Sequence, residues 1–216
     1  MDEHSDKIAG AGSLDTAGSP HDNASVAARL GGQAITIAAR GCTFSAYSAQ
    51  PRSGDAPTSP LPVLMVHGWP QFATCWEGVA QCLLAAGHAV HAYDQRGYSP
   101  GARPQQVELY RLHELVADLR AIADALGLAR FHLVGHDWGG IVGWAFTAMH
   151  PDRLATYTAV STSHPKAHAQ RMNEDPEQHR RMQYLRNIQE KPERTRDHYL
   201  GNGGLRLDVI YENAIP

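Results

Sequence analysis

A carboxylate lies at the centre of a glycine-rich run, GHDWGG, at residues 135–140. The apolar run at 131–134 before it and the apolar stretch at 141–149 after it predict a strand, a tight turn and a helix. Glycines at 135 and 139 would let the strand and the helix approach closely and push the side chain of Asp137 out at the edge of a sheet. Asp137 is therefore the predicted nucleophile.

An aspartate in this position predicts attack on a saturated carbon atom. A carboxylate forms an ester with such a carbon, and an activated water can later cleave that ester, whereas a serine would leave an ether. A carboxylate is already ionised at neutral pH, so a general base is needed only for the second step. The alternative is that Asp137 has no chemical role and caps the N-terminus of the following helix.

A second motif, HGWP at residues 67–70, directly follows the apolar run 63–66, which predicts a buried parallel strand. A loop in this place can donate a backbone N–H to developing negative charge, and the residue after a nucleophile can donate another. We expect the backbone N–H groups of Trp69 and Trp138 to form this oxyanion hole. Because His67, Trp69 and Trp138 lie at the carboxyl ends of strands, we expect them to line the substrate site.

A third run, DQRGYSPGARP at residues 94–104, is too rich in glycine and proline for a regular element. Arg96 within it is predicted to tie the loop down through backbone carbonyls or through a carboxylate. A direct catalytic role for Arg96 is the alternative, although loop arginines more often form structural hydrogen bonds.

In this order and at these spacings, HGWP, DQRGYSPGARP and GHDWGG resemble the epoxide hydrolase branch of the α/β-hydrolase superfamily, which is related to the haloalkane dehalogenases. The resemblance covers roughly residues 30–200. It implies a nucleophile at Asp137, an oxyanion hole at Trp69 and Trp138, a cis peptide bond between Trp69 and Pro70, and a helical cap after the sixth strand.

The same resemblance implies a cap tyrosine that donates a hydrogen bond to the epoxide oxygen. Tyr184, in the run RMQYLR at 181–186, is the candidate, and Tyr199 and Tyr211 come next. The alternative is that Tyr184 only packs its ring against an amphipathic helix and leaves the hydroxyl in water.

The family also places an acid and a catalytic histidine on loops that follow strands beyond the cap. We expect this chain to stop within the cap, with the C-terminal strands missing and the base of the second step absent. His164 and His168 are four residues apart, but without a carboxylate or cysteine partner pattern they do not predict a metal site. Five histidines follow Asp137 in the sequence, and none follows a strand where the base should be: His150, His164, His168, His179 and His198.

The elements that must position these residues alternate between strand and helix. Two short antiparallel strands are predicted at 34–39 and 43–47, and parallel strands at 63–66, 88–93, 131–134 and 154–160. Helical spacing occurs at 75–86 and 108–126, and one stripe of the second helix is predicted to be core: Leu109, Leu112, Leu115, Val116, Leu119, Ile122 and Leu126. We therefore expect an α/β-hydrolase fold, with a mainly parallel sheet, helices on both faces and the start of a helical cap.

Three segments are predicted: a flexible polar tail at 1–24, the hydrolase core at 25–164 and a partial cap at 165–216. A polar surface loop is predicted at 50–60. No secretory signal pattern and no apolar run of membrane-spanning length is present in the sequence.

Composition narrows the class of ligand. A net charge of -3 and mixed signs argue against a nucleic-acid partner. The three cysteines, Cys42, Cys75 and Cys82, are scattered and indicate neither a disulfide framework nor a zinc site, which fits a reducing cytoplasm. No metal or cofactor is expected, and the sequence leaves the oligomeric state open.

Three functions remain open from the sequence. The leading one is hydrolysis of a small apolar epoxide through an ester on Asp137. The second is haloalkane dehalogenation, in which the indole N–H of Trp138 would hold the halide; the halide-binding asparagine of that family is replaced here by Trp69. The third is a truncated, non-catalytic binding module or remnant that retains a pocket without a base.

Overall fold

A computed structural model of the chain describes residues 22–52 and 61–201, which form two compact units that divide after Thr162. The first unit is built on a six-stranded sheet. The second unit contains four short helices among its described residues. Each unit is stabilised by its own contacts and is described separately below.

The sheet of the first unit is mixed, with a parallel majority on the side that carries the site. Its strands follow the order β1-β2-β4-β3-β5-β6. The first two pairings, β1 with β2 and β2 with β4, are antiparallel, whereas β4, β3, β5 and β6 run parallel to one another. The strands are β1 (Gln33–Ala39), β2 (Cys42–Ala49), β3 (Val63–Val66), β4 (Val90–Tyr93), β5 (Phe131–His136) and β6 (Leu154–Val160). The predicted fold class is confirmed.

Helices cover both faces of this sheet, and the alternation of side chains along β3 shows how. Val63 and Met65 pack against one pair of helices, α1 (Asn23–Leu30) and α2 (Glu77–Ala85). Leu64 and Val66 point the other way, toward α3 (Leu112–Ala125) and α4 (Trp138–Met149). A strand buried on both faces needs the continuous apolar run that the sequence shows here.

The predicted helix at 108–126 is wrong at its beginning. A short 3₁₀ turn, Val107–Tyr110, is followed by Arg111 in an extended conformation, and the α-helix starts only at Leu112. Leu112, a member of the predicted core stripe, is 40% exposed and therefore does not belong to the core. Within that stripe, only Val116, Leu119 and Ile122 are fully buried. The periodicity of the sequence continued across a turn that breaks the helix.

The first helix, α1, lies where the sequence was not expected to form one. Asp22 caps it by accepting from the N–H of Ala24, and Gly31 ends it in the left-handed conformation with a φ of 70°. Residues 22–24 were predicted to belong to the flexible tail, and they instead cap and begin this helix. The rest of that predicted tail, residues 53–60 of the polar loop, and Tyr211 lie outside the described residues.

The second unit consists of α5 (Pro165–Glu174), α6 (Pro176–Arg181), α7 (Gln183–Glu190) and α8 (Pro192–Leu200). Three of these helices carry a proline at their first position, where the missing N–H has no intrahelical partner in any case. Across residues 22–52 and 61–201, no helix is both long enough and apolar enough to span a bilayer.

Candidate active site

Asp137 occupies the turn between β5 and α4 with a strained backbone. Its φ of 51° and ψ of -118° lie in a region that residues with a side chain rarely adopt. The turn is tight because a Cβ atom at Gly135 would clash with the backbone of Gly139, and one at Gly139 would clash with the carbonyl oxygen of Val66. The predicted strand, turn and helix are confirmed.

Three hydrogen bonds fix this backbone. The N–H of Asp137 donates to the carbonyl of Val160 at 3.3 Å, and its own carbonyl accepts from the N–H of Ile141 at 3.0 Å. The hydroxyl of Thr162 donates to the same carbonyl at 3.1 Å. The side chain of Asp137 accepts no hydrogen bond from α4, so the alternative that its carboxylate caps the helix is wrong.

The loop that follows β3, residues 67–72, brings a backbone donor to the carboxylate. We call it the β3 loop. The N–H of Trp69 donates to Oδ1 of Asp137 at 2.9 Å. Gly68 lies directly against this carboxylate, since a Cβ at that position would come within 2.8 Å of Oδ1. The peptide bond between Trp69 and Pro70 is cis, as expected.

The two predicted oxyanion residues differ in exposure. Trp138 is the first residue of α4 and is 44% exposed, whereas Trp69 has a smaller fraction of its surface exposed. The structure thus brings Trp69, Asp137 and Trp138 together at the carboxyl ends of β3 and β5. Their roles as oxyanion donors and nucleophile stay predictions.

The prediction that His67 lines the substrate site is wrong for its side chain, which is completely buried. Its Nδ1–H donates to the carbonyl of Gly68 at 2.9 Å, and its Nε2 accepts from the N–H of Gln95 at 3.0 Å. Burial lowers the pKa of His67 to about 4, and a weaker repulsion from His136 acts in the same direction. His67 is therefore a neutral imidazole that joins two loops.

The loop after β4, residues 94–99, holds the β3 loop from the other side. We call it the β4 loop. The side-chain Nε2 of Gln95 donates to the carbonyl oxygen of His67 at 2.5 Å. Arg96 forms two hydrogen bonds of 2.6 Å with Asp118 of α3, and both side chains are almost fully buried. The prediction that Arg96 ties this loop down through a carboxylate is confirmed.

Asp94 is a third anchor in the β4 loop. Its Oδ1 accepts from the N–H of Ala73, just beyond the β3 loop, at 2.7 Å, and its Oδ2 accepts from the amide of Asn23 in α1 at 3.0 Å. Burial raises the pKa of Asp94 to about 6, although these hydrogen bonds and the charge of Arg103 oppose the shift. Burying Asp94 in its ionised form therefore lowers the free energy of unfolding.

This raised pKa predicts how stability depends on pH. The folded state holds the proton more tightly than the unfolded state, so the contribution of Asp94 to the free energy of unfolding is largest below about pH 4 and is lost by about pH 6 to 7. The loss is of the order of 3 kcal/mol. We expect the free energy of unfolding of the wild type, minus that of Asp94→Asn, to fall by about this amount between pH 4 and pH 7, as measured by urea unfolding.

The difference between the two proteins isolates Asp94 from the surface carboxylates, which titrate in both. The amide group that this substitution introduces can be accommodated, because Asn23 Oδ1 accepts no hydrogen bond from the described residues and the Asn23 amide can turn to receive it. A difference that stays constant from pH 4 to pH 7 would contradict the assignment.

Tyr184, the predicted ring-opening donor, lies on α7 in the second unit and is 42% exposed. It lines a cavity of about 310 Å³ between α7 and α8, together with Ile188, Arg194, His198 and Tyr199 among others. Its role as the ring-opening donor stays a prediction. Tyr199, the next candidate, faces the same cavity.

The histidines after Asp137 occupy helices and helix ends. His150 ends α4, and His164 begins α5 with its Nδ1 accepting from the N–H of Lys166 at 3.2 Å. His168, His179 and His198 lie within α5, α6 and α8. In the described ranges, no group of three or more His, Cys, Asp or Glu side chains is placed to hold a metal ion, and the three cysteines are free thiols.

Comparison with known proteins finds a match to one family profile and sequence similarity to several epoxide hydrolases. The sequence profile of the alpha/beta hydrolase fold family matches residues 62–213. "Epoxide hydrolase A" of Mycobacterium tuberculosis is 42% identical over 105 residues, which is 49% of this chain and 32% of the relative. "Epoxide hydrolase B" of the same organism is 35% identical over 122 residues, or 56% of this chain and 33% of the relative.

Solved structures show the same likeness. The epoxide hydrolase of Bacillus megaterium, solved with an inhibitor, superimposes with a TM-score of 0.72 and 25% identity over 83% of this chain and 60% of that one. An epoxide hydrolase of Vigna radiata gives a TM-score of 0.55 and 28% identity, over 66% and 46% of the two chains. The chain spans about a third of the length of the curated relatives that it matches.

Proposed function

The chain belongs to the alpha/beta hydrolase fold family, and from this membership we propose that its site opens small apolar epoxides through an ester on Asp137. The observation that carries the proposal is the contact between the N–H of Trp69 and a carboxylate presented on a strained turn. Two of the relatives that match this chain are named as epoxide hydrolases, which supports this choice of electrophile.

The hydrogen bond from Trp69 gives the two carboxylate oxygens of Asp137 different roles in the proposed reaction. Oδ1 is already engaged by Trp69, so Oδ2 is the atom that attacks a ring carbon. A C–O bond forms at Oδ2 as the C–O bond of the ring breaks, and the bonding pair moves to the ring oxygen. Tyr184 supplies the proton to that oxygen and is left as a tyrosinate, which regains a proton from solvent.

Oδ1 then becomes the carbonyl oxygen of the ester. When water attacks the ester carbon, negative charge develops on Oδ1, where the N–H of Trp69 already donates. The N–H of Trp138, the residue after the nucleophile, is the proposed second donor. Donors fixed before the reaction stabilise this charge without reorganising. The same atoms therefore orient the nucleophile in the first step and serve as the oxyanion hole in the second.

We assign only the first of these steps to this chain acting alone. Hydrolysis of the ester requires a general base, which the family supplies from a loop after a strand that follows the cap. Among the described residues β6 is the last strand, and the later histidines begin or lie within helices. Unless another part of the protein supplies this base, the ester on Asp137 accumulates.

Tyr184→Phe tests the choice between the epoxide and the haloalkane. An epoxide oxygen needs a proton as it departs, whereas a halide leaves without one, so only the first reaction depends on the hydroxyl. We expect the variant to alkylate Asp137 with an aryl epoxide at least a hundredfold more slowly, and with a primary bromoalkane at the wild-type rate. Intact-protein mass spectrometry over time gives both rates.

Tyr199→Phe is the matched control, because it removes a hydroxyl from the same cavity of the second unit. A large effect of this control and none of Tyr184→Phe would move the donor to Tyr199. Faster reaction with the bromoalkane than with the epoxide would favour dehalogenation. If neither electrophile alkylates the wild type, the chain is a binding module or remnant.

A further inference from the structure

We propose that Gln95 is a positioning residue that aims the Trp69 N–H at the carboxylate of Asp137, acting through His67. Gln95 is buried in the β4 loop, and its described side-chain hydrogen bond goes to His67 and not to the carboxylate of Asp137. Its backbone N–H also donates to His67. The proposal rests on the proposed function for its catalytic meaning, but the geometry that carries it stands on its own contacts.

The first step is the peptide group between Gly68 and Trp69. In a trans peptide the C=O and the N–H point in opposite directions, and this peptide is trans. The carbonyl of Gly68 is held at 2.9 Å by Nδ1 of His67, so the N–H of Trp69 is directed away from the imidazole and toward Oδ1 of Asp137, also at 2.9 Å. His67 therefore fixes the direction of the donor.

The second step is the protonation of His67. Its Nδ1 can donate to a carbonyl only if the ring proton is on that nitrogen. The N–H of Gln95 donates to Nε2, which requires a lone pair there and so selects the Nδ1–H form of the neutral ring. Burial keeps the imidazole neutral, with its pKa lowered to about 4. The backbone of Gln95 thus sets which nitrogen of His67 is the donor.

The third step is the position of the His67 backbone. The side-chain amide of Gln95 donates to the carbonyl oxygen of His67, which lies against the start of α4, since a Cβ at Gly139 would come within 2.6 Å of this oxygen. Gly68, the next residue, is in van der Waals contact with Asp137. Because the His67 carbonyl and Gly68 are this close to α4 and Asp137, a shift that follows loss of the Gln95 amide is expected to reach Trp69 and Asp137.

Gln95→Met tests the proposal, because methionine has a similar volume and flexibility but cannot donate a hydrogen bond. In the full chain, the amide proton of Trp69 should resonate far downfield in proton–nitrogen NMR spectra, as expected for a donor to a carboxylate, and Asp137→Asn should move it upfield. We expect Gln95→Met to move the same signal upfield while the carboxylate is retained. The rate of alkylation by an aryl epoxide should fall about tenfold or more.

Thr147→Val is the control. Thr147 is a half-buried residue of α4 whose hydroxyl donates to the carbonyl of Gly143 at 2.8 Å, and it has no described hydrogen bond to the β3 loop or to the β4 loop. It should leave the Trp69 signal and the alkylation rate at wild-type values. If Gln95→Met does not fold, Gln95→Asn replaces it, because its amide is one methylene too short to reach the His67 carbonyl.

Three outcomes are decisive. A Trp69 amide that shifts no more in Gln95→Met than in Thr147→Val would overturn the proposal. So would a Trp69 amide that is unaffected by Asp137→Asn, because the donor would then not face the carboxylate. Absence of alkylation in the wild type, with the expected pattern of amide shifts, would reject the epoxide function and leave the positioning role of Gln95 established.

Discussion

Asp137→Asn abolishes covalent labelling of this chain by an aryl epoxide, whereas the wild type gains one substrate mass on the peptide that contains residue 137. This is the result that we expect from the position of the carboxylate between β5 and α4. An amide is neutral and far less nucleophilic than a carboxylate, so no adduct should be detectable for the variant. Peptide mapping by mass spectrometry locates the label.

The exposed carboxylate of Asp152, near the other end of α4, provides the control. Asp152→Asn should be labelled at residue 137 like the wild type. Labelling that persists in Asp137→Asn at another carboxylate would show nonspecific alkylation. Sustained release of diol by the wild type would show that the chain already contains a base for the second step, and the proposed accumulation of the ester would be wrong.

The largest effect on stability is expected at the ion pair between Arg96 and Asp118. The two side chains are 4% and 3% exposed and are joined by two hydrogen bonds of 2.6 Å. Asp118→Ala leaves the guanidinium of Arg96 buried without its partner, which should lower the free energy of unfolding by about 3–5 kcal/mol. Urea unfolding at pH 7 measures the change.

Two controls separate an unpaired buried charge from a lost contact. Arg96→Met combined with Asp118→Leu removes both buried charges, so it should recover much of the loss, because apolar side chains of similar volume replace a buried ion pair without a large penalty. Arg40 also donates to Asp118, at 2.8 Å, and it keeps its ion pair with Glu114 in both variants. Glu77→Gln removes the solvent-screened pair between Arg29 and Glu77 and should change stability far less than Asp118→Ala does. Equal losses in Asp118→Ala and in the double variant would mean that packing, not charge, dominates.

The sequence was sufficient where local pattern determines structure. Short runs rich in apolar and β-branched residues predicted β3 and β6 with their observed bounds, and glycines at 135 and 139 predicted the turn that presents Asp137. These signals are local because a turn this tight excludes any side chain at its flanking positions. Helix α1 was missed although its signals are present, since Asp22 and Gly31 are ordinary helix caps at its two ends.

The sequence was insufficient where contacts join distant segments. The substrate-facing role predicted for His67 follows from its place after β3, but its two ring nitrogens are engaged by Gly68 and by Gln95, 28 residues later. No periodicity in the sequence reports such a partner. In the same way, nothing in the sequence singles out Asp118 within the predicted helix, although its carboxylate holds the β4 loop through Arg96.

The strained backbone of Asp137 sets stability against function at one position. A non-glycine residue held at a φ of 51° and a ψ of -118° raises the energy of the folded state by about 1–3 kcal/mol, and glycine would adopt the same conformation freely. Selection for robustness alone would therefore replace this aspartate with glycine and lose the nucleophile. Stabilising substitutions elsewhere in the first unit would increase the chain's tolerance of this conflict without touching the chemistry.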